Sequence, residues 1–521
     1  MDITIGIIPT FRQIVALSLA VALFAVVGCS TVDPKPDFAK TAGLISERTG
    51  VEEVYLPGED EWVAKKVNRL LANGLTTGEA VQVALLNNRA FQSLFQEIGA
   101  SRADVIQSGL LTNPSLSLLA RFPEGGGRSN LTFGFGQELV DLWQIPMRRE
   151  IAEAHLEQTV LTITRRAVEL AAEVKRGCYQ VLALERAEGI AKSSIDLVER
   201  SLKLAEDRFR AGEIGLVDVD LARADVLTVR RELASLQRDQ EVAKAVLGRL
   251  IGLSRRRTDW ALIDELPRRV AIMGDDDLVL WAMHQRLEAR VAALQVQAAE
   301  GELRRECLNV VPSVVVGTEW ERTERRALPG RKIAADTARD SLRNGQLTAP
   351  TIQSRAERNL ERRQIIDSLL GPSLEITLPI WDQNQARIAK SRFAVEQKRK
   401  EYEYLLDVVA QEVQQAAAAV RGSERLTQMS EEEILPHAQK SIETARRVYR
   451  TGQDSIIALI DAQRFLIVQQ RSYIDDLRDC ATALADLEQA VGGPLPGPDK
   501  GISALTTPVT TQPDRGDGSD E

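Results

Sequence analysis

The sequence predicts a mainly α-helical chain that also contributes strands to a membrane β-barrel, and three observations carry that prediction. Two stretches 240 residues apart, Ser201 to Gly252 and Ser441 to Gly492, agree without a gap at twelve of 52 positions, among them Arg210/Arg450, Gly212/Gly452, Ala222/Ala462 and Gly252/Gly492. The chain is therefore a tandem duplication. Aromatic residues make up only 4% while Ala, Leu, Val, Gln, Glu and Arg dominate, which is the composition of long helices rather than of a compact enzyme core. Four short segments, finally, alternate apolar and polar residues with period two over about the ten residues that a tilted transmembrane strand needs.

At the N-terminus Arg12 precedes an apolar run from Ile14 to Val27. A run of about 14 residues is short for a bilayer span and suits a signal-peptide core, here residues 1–28. Val26-Val27-Gly28-Cys29-Ser30 resembles a bacterial lipobox, so Cys29 is the expected lipidation site and first mature residue. Residues 29–74 form a lipid-anchored leader with one amphipathic piece around Trp62 to Leu71. Thr76-Thr77-Gly78-Glu79 is a capping box that opens a helix from Ala80 to about Gln107.

The first repeat, 75–252, then changes period. Leu116, Leu118, Ala120 and Phe122 share one strand face, with Ser115, Ser117 and Arg121 opposite, in a strand of about 113–122. In the next, about 130–138, Leu131, Phe133 and Phe135 oppose Thr132, Gly134 and Gly136. Pro146 suits a first helical turn, and helix is expected on to Arg210, about 60 residues and on the order of 90 to 100 Å. Phe209-Arg210-Ala211-Gly212 ends it in a glycine cap, and a return arm runs from about Leu216 to Leu250.

After a linker, 253–274, the second repeat, 275–493, follows the same plan. A helix from Asp275 to Leu308 precedes strands of about 312–322 and 373–381. Val314, Val316, Thr318 and Trp320 share a face in one, Leu374, Ile376 and Leu378 in the other, against Glu375 and Thr377. Between them lies an Arg-rich insertion, 323–371, expected as a surface loop with helix around Ala356 to Leu369. Helix from Gln383 to Arg450, bent near Pro436, turns at Tyr449-Arg450-Thr451-Gly452 and returns from Ile456 to Val491. Residues 494–521 are expected to be disordered.

Four strands cannot close a barrel, and an open sheet edge in hydrocarbon leaves backbone groups unpaired at several kcal/mol each. Several chains must share one barrel. The polar set Ser115, Ser117, Thr132, Glu319, Glu375 and Thr377 suits a wet lumen. A net charge of -9 and a pI near 5.3 argue against a nucleic-acid partner. His155, His284 and His437 are scattered, and Cys178, Cys307 and Cys480 form no CxxC, so no metal site, cofactor or catalytic group is expected.

Three signatures carry a family resemblance: Leu75-Thr76-x-x-Glu79-Ala80-Val81-x-x-Ala84-Leu85-x-Asn87-Asn88, Gly109-Leu110-Leu111-x-Asn113-Pro114, and Ile434-Leu435-Pro436-x-Ala438-x-x-Ser441 through Tyr449-Arg450-x-Gly452 to Leu459-x-Asp461-Ala462-Gln463. Together they resemble the TolC-type outer-membrane efflux proteins. The resemblance implies a homotrimer with a shared twelve-strand barrel and a twelve-helix periplasmic tunnel. It further implies a passive exit duct, docked through a periplasmic adaptor protein onto an inner-membrane pump of the resistance-nodulation-division type. By the same resemblance Asp461, with Asp454 beside it, belongs to a periplasmic gate, and Arg210, Gly212, Arg450 and Gly452 to adaptor-docking tips. Gln137-Glu138-Leu139-x-x-Leu142-x-x-x-Pro146-x-Arg148-Arg149 is similar to ducts that serve heavy-metal pumps. The competing expectation is a lipid-anchored periplasmic coiled-coil scaffold without a channel.

Overall fold

The computed structural model describes residues 32–122, 129–253, 260–267, 272–324, 331–349, 354–356, 366–451, 453 and 455–495. Cys29, Gly452 and Asp454 lie outside the described residues, as do the signal peptide and nearly all of the tail. The chain divides into two units. One comprises Met1–Asp104, Glu153–Gln297 and Glu396–Glu521, and the other Val105–Ala152 and Ala298–Val395.

The smaller unit is built on strands β1 (Ser115–Arg121), β2 (Asn130–Glu138), β3 (Val314–Glu324) and β4 (Ile366–Ile376), which among the described residues form one antiparallel sheet in the order β1-β2-β3-β4. The two repeats thus meet edge to edge at β2 and β3, leaving β1 and β4 as open edges. The register pairs Leu118 with Phe133, Phe133 with Trp320 and Trp320 with Leu370. Because side chains alternate along a strand, Leu116, Leu131, Phe135, Val316, Leu374 and Ile376 fall on that same face. Ser115, Ser117, Thr132, Gly134, Gly136, Gly317, Glu319 and Glu375 fall on the other. Leu116 is 79% exposed and Leu374 64%, so the apolar face is not the core of a single chain. The Phe133 and Trp320 rings lie 5.3 Å apart on it. On the polar face a Cβ at Gly317 would strike the Phe135 carbonyl, which is why glycine stands there.

The fourth strand differs from expectation. β4 begins at Ile366 rather than near 373, so Ile366 to Leu369, expected as helix, is strand, and the insertion narrows accordingly. Pro372 lies inside the strand, opposite Thr318, and is tolerated because β4 is an edge of this sheet, where a missing N–H need cost no ladder bond. Within the insertion a helix spans Arg331–Asn344.

The larger unit is helical. The leader supplies α1 (Lys35–Thr49) and α2 (Asp60–Ala72), followed by α3 (Thr77–Asn87) and α4 (Arg89–Ser108). Thr76 and Glu79 form the expected capping box at α3. α1 is pinned to α4 by Arg102, whose guanidinium donates to both Asp37 oxygens at 2.5 and 2.6 Å, and by the packing of Phe38, Tyr55 and Phe91 around the Phe95 ring. α5 (Asp141–Arg210) is 70 residues, about 105 Å at 1.5 Å per residue, and α6 (Leu216–Leu250) returns beside it. In the second repeat α7 (Asp275–Gln285) and α8 (Leu287–Leu308) replace the single helix expected, divided at Arg286. The insertion helix is α9, α10 is Gln385–Met429, and a π-helical turn, Ser430–Ile434, joins it to α11 (Leu435–Arg450). Pro436 has no N–H, and the widened turn immediately before it absorbs the defect without ending the helix. α12 (Ile456–Val491) completes the plan.

The duplication is visible in how each return helix ends. Asn87 and Asn88 donate their side-chain amides to the carbonyls of Gly252 and Leu250 at the end of α6, each at 2.8 Å. At the end of α12 the same task falls to Arg286, which donates to the Ala490 carbonyl at 2.9 Å and to Glu288 and Glu412. Gly252 and Gly492 both adopt positive φ, and each backs against one of these junctions. A core of Leu278, Ala282, Val409, Val413, Ala417, Leu487 and Val491 joins α7, α10 and α12.

Candidate gating and docking site at the hairpin tips

The two hairpins end in turns of the same design. In the first, Gly212 has φ +78°, its N–H donates to the Phe209 carbonyl, and the Glu213 N–H donates back to Arg208 at 2.9 Å. This left-handed cap requires glycine. In the second, the Gln453 N–H makes the matching bond to Val448 at 3.2 Å. Arg210 is exposed and paired with Asp207 on its own helix, and Arg450 is exposed. Asp461 lies in the second turn of α12, exposed and with no ion pair among the described residues. The structure therefore brings Arg210 and Gly212 together at one tip and sets Asp461 on the helix rising from the other.

Above the turns the ends of α5, α6, α11 and α12 pack as a bundle. Ala205, Ala222, Tyr449, Ile456, Leu459 and Ile460 form its lowest layer, and Val198, Val226, Val229 and Ile467 one above. Polar contacts separate the layers. Arg208 stands 4.7 Å over the Tyr449 ring and donates to the Tyr449 carbonyl at 3.0 Å and to Glu213 at 2.9 Å. Burial pushes the Tyr449 hydroxyl above its ordinary range, with the Arg208 charge opposing. Gln463, fully buried, donates to Ser201 at 2.5 Å. Arg464 donates to Asp225 at 2.7 Å, and seven residues along, Arg471 donates to Glu232 at 2.8 Å. Within this one bundle Asp225 Oδ2, Tyr449 Oη and Gln463 Oε1 are buried without a protein partner. A buried polar atom without a protein partner is costly unless water reaches it, so each of these atoms marks a place where the bundle is not closed by side-chain packing alone.

Arg208, Asp225 and Arg464 were not among the residues singled out from sequence, and Gln463, although it closes the third signature, was given no role there. A usable signal exists: Asp225 with Arg464 and Glu232 with Arg471 are each 239 residues apart, one less than the repeat offset, as expected for parallel helices in equivalent places of two copies.

Residues 80–253 and 282–493 match the outer membrane efflux protein family. The chain belongs to that family. As an outer membrane efflux protein it is an exit duct of the outer membrane. The cobalt-zinc-cadmium resistance protein CzcC of Cupriavidus metallidurans is 22% identical over 431 residues, 81% of this chain and 91% of the relative. Outer membrane protein OprJ of Pseudomonas aeruginosa is 22% identical over 82% of this chain and 85% of its own length. Among solved structures, CusC, described for its folding and transmembrane channel formation, superposes with a TM-score of 0.63 at 16% identity, covering 82% of this chain and 94% of that one. The CmeC outer membrane channel of Campylobacter jejuni superposes with a TM-score of 0.61 at 12% identity, covering 87% and 91%. These superpositions establish the fold of this outer membrane efflux protein.

Proposed function

We propose that three copies of the chain close a twelve-strand barrel and a helical tunnel, forming the passive outer-membrane arm of a tripartite efflux system. The observation that supports this most is the open four-stranded sheet, apolar and exposed on one face, polar on the other, with an unpaired edge at β1 and at β4. Hydrocarbon accepts the first face and rejects the edges, so neighbouring copies complete the cylinder and the polar face lines it.

Cargo enters from a resistance-nodulation-division pump through a periplasmic adaptor that docks on the tips around Arg210, Gly212, Arg450 and Gly452. Asp461 and Asp454, repeated around the axis, ring the closed periplasmic end. Like charges brought together there attract cations and favour opening when the bundle loosens. Cys29 carries the lipid that holds the leader to the membrane. The likeness of residues 137–149 to ducts of heavy-metal pumps, with a relative named for cobalt, zinc and cadmium resistance, favours metal ions as cargo.

The test is fractionation of cells expressing the full chain. A heat-sensitive trimer in the outer membrane, conducting ions in a planar bilayer, is the expected result. A monomer in the soluble periplasmic fraction overturns the duct in favour of the scaffold.

A further inference from the structure

The two repeats cover equivalent helices unequally. On the N-terminal side of the π-helical turn, which adds one residue to the second copy, positions on α10 correspond to positions 239 earlier on α5. The core agrees with this register, since Val409, Val413, Ala417 and Val420 are buried, as are Leu170, Val174, Cys178 and Val181. A second face breaks the equivalence. On α5, Thr164, Val168, Ala172 and Tyr179 are buried, and beside them Lys175 donates to Glu488 and Arg176 to Asp486 near the end of α12. On α10 the matching Glu403, Asp407, Gln411 and Ala418 are all exposed, and Tyr404 next to them is 70% exposed.

The same inequality appears where the return helices end. Beside Arg286 and Gly492 lies a groove of about 640 Å³ with α5 as one wall, through Arg165, Val168 and Arg176. Its counterpart beside Asn88 and Gly252 is about 1290 Å³, and α10 contributes nothing to its lining. Phe91, Leu94, Leu170, Leu253 and Trp260 make that lining apolar. Arg249 stands at its rim, exposed, and among the described residues neither it nor Asp407 has an ion pair. A bare helix face and an oversized groove, each with a filled counterpart in the other repeat, are the two halves of one contact.

We propose that the groove beside Asn88 and Gly252 is the seat for α10 of a second copy, with Tyr404 entering where Arg165 stands in the smaller groove and Asp407 meeting Arg249. This rests on the reading that several copies share one cylinder. The contact is head-to-tail, so each copy gives one α10 and receives another, and repetition closes a ring. The end of α6 is then flanked by two long helices, as the end of α12 already is within the chain.

The full chain carrying Cys307→Ser, its buried Cys178 and Cys480 kept, receives Ala90→Cys at the groove and Tyr404→Cys on α10 and is treated with a short bismaleimide. Covalent dimers and trimers from the double variant, with monomers from each single variant, are the expected result. Products of monomer size from a preparation that shows the heat-sensitive trimer overturn the seat and leave the duct standing. Charge reversal reads the same seat without changing Tyr404. Arg249→Glu and Asp407→Arg should each lower the temperature at which the trimer band disappears, and the two together should restore it. A pair that restores nothing overturns the seat, and absence of a trimer from the parent chain overturns the duct with it.

Discussion

Arg464 and Asp225, 239 residues apart, meet at 2.7 Å with the carboxylate side chain 2% exposed and the arginine 53% exposed. The pair is asymmetric, because one partner can return to water and the other cannot.

Arg464→Gln should therefore destabilise the protein more than Asp225→Asn, which leaves only a half-solvated arginine behind. After discounting for the exposed side of the pair, the cost of the first is about 1–3 kcal/mol. Thermal unfolding of both single variants and the double variant measures it, and a double variant close to Asp225→Asn alone confirms the coupling. Identical melting of Arg464→Gln and the parent would remove the pair from any part in holding the hairpins together.

The two sheet faces should respond oppositely to charge. Phe133→Arg places a cation in hydrocarbon at about 2–4 kcal/mol and should deplete the heat-sensitive trimer, whereas Ser117→Arg on the polar face should be tolerated. Comparable trimer yields from the two variants would contradict the assignment of faces.

Asp141 is buried where β2 passes into α5. Burial acts to raise its pKa, but the Thr112 N–H at 2.5 Å and Arg148 at 2.8 Å outweigh this and hold it below the ordinary carboxylate range. A depressed carboxylate contributes stability that is complete above its unfolded pKa, about 3.9, and is lost as pH falls through the folded value. Acid unfolding of Asp141→Asn should thus show a shallower slope below about pH 4 and, at neutral pH, a loss of about 1–3 kcal/mol.

Cys178 is buried, and burial pushes its thiol up to about 12, while Cys307 is exposed. At pH 8 maleimide should label Cys307 and spare Cys178 until the protein is unfolded, as read by peptide mass mapping. Equal labelling in the folded state would place Cys178 at a surface.

Much of this architecture is local and therefore legible. Period-two alternation put Leu118, Phe133 and Trp320 on their faces correctly because a strand's geometry is fixed by its own residues. Asn87 and Asn88 were part of a recognisable motif, although their partners, Leu250 and Gly252, were not foreseen. Illegible features depend on distant neighbours. Ile366 to Leu370 breaks alternation at Leu369-Leu370 and becomes strand by pairing with β3. The division at Arg286 carries no Gly or Pro signal, since it follows from a guanidinium reaching α12. At the tips Gly212 was legible from backbone needs, whereas buried Asp225 looks like an ordinary polar helix residue until α12 is laid beside α6, and Gln463, although part of a signature, shows its bond to Ser201 only once α12 lies beside α5.

The open edges at β1 and β4 also bear on biogenesis. If neighbouring copies complete the cylinder as proposed, a solitary chain has no stable resting place in the bilayer, and insertion and oligomer closure are one event. A copy with a spoiled edge would then poison the assemblies it joins, and such mutations should act dominantly in cells that also make the intact protein.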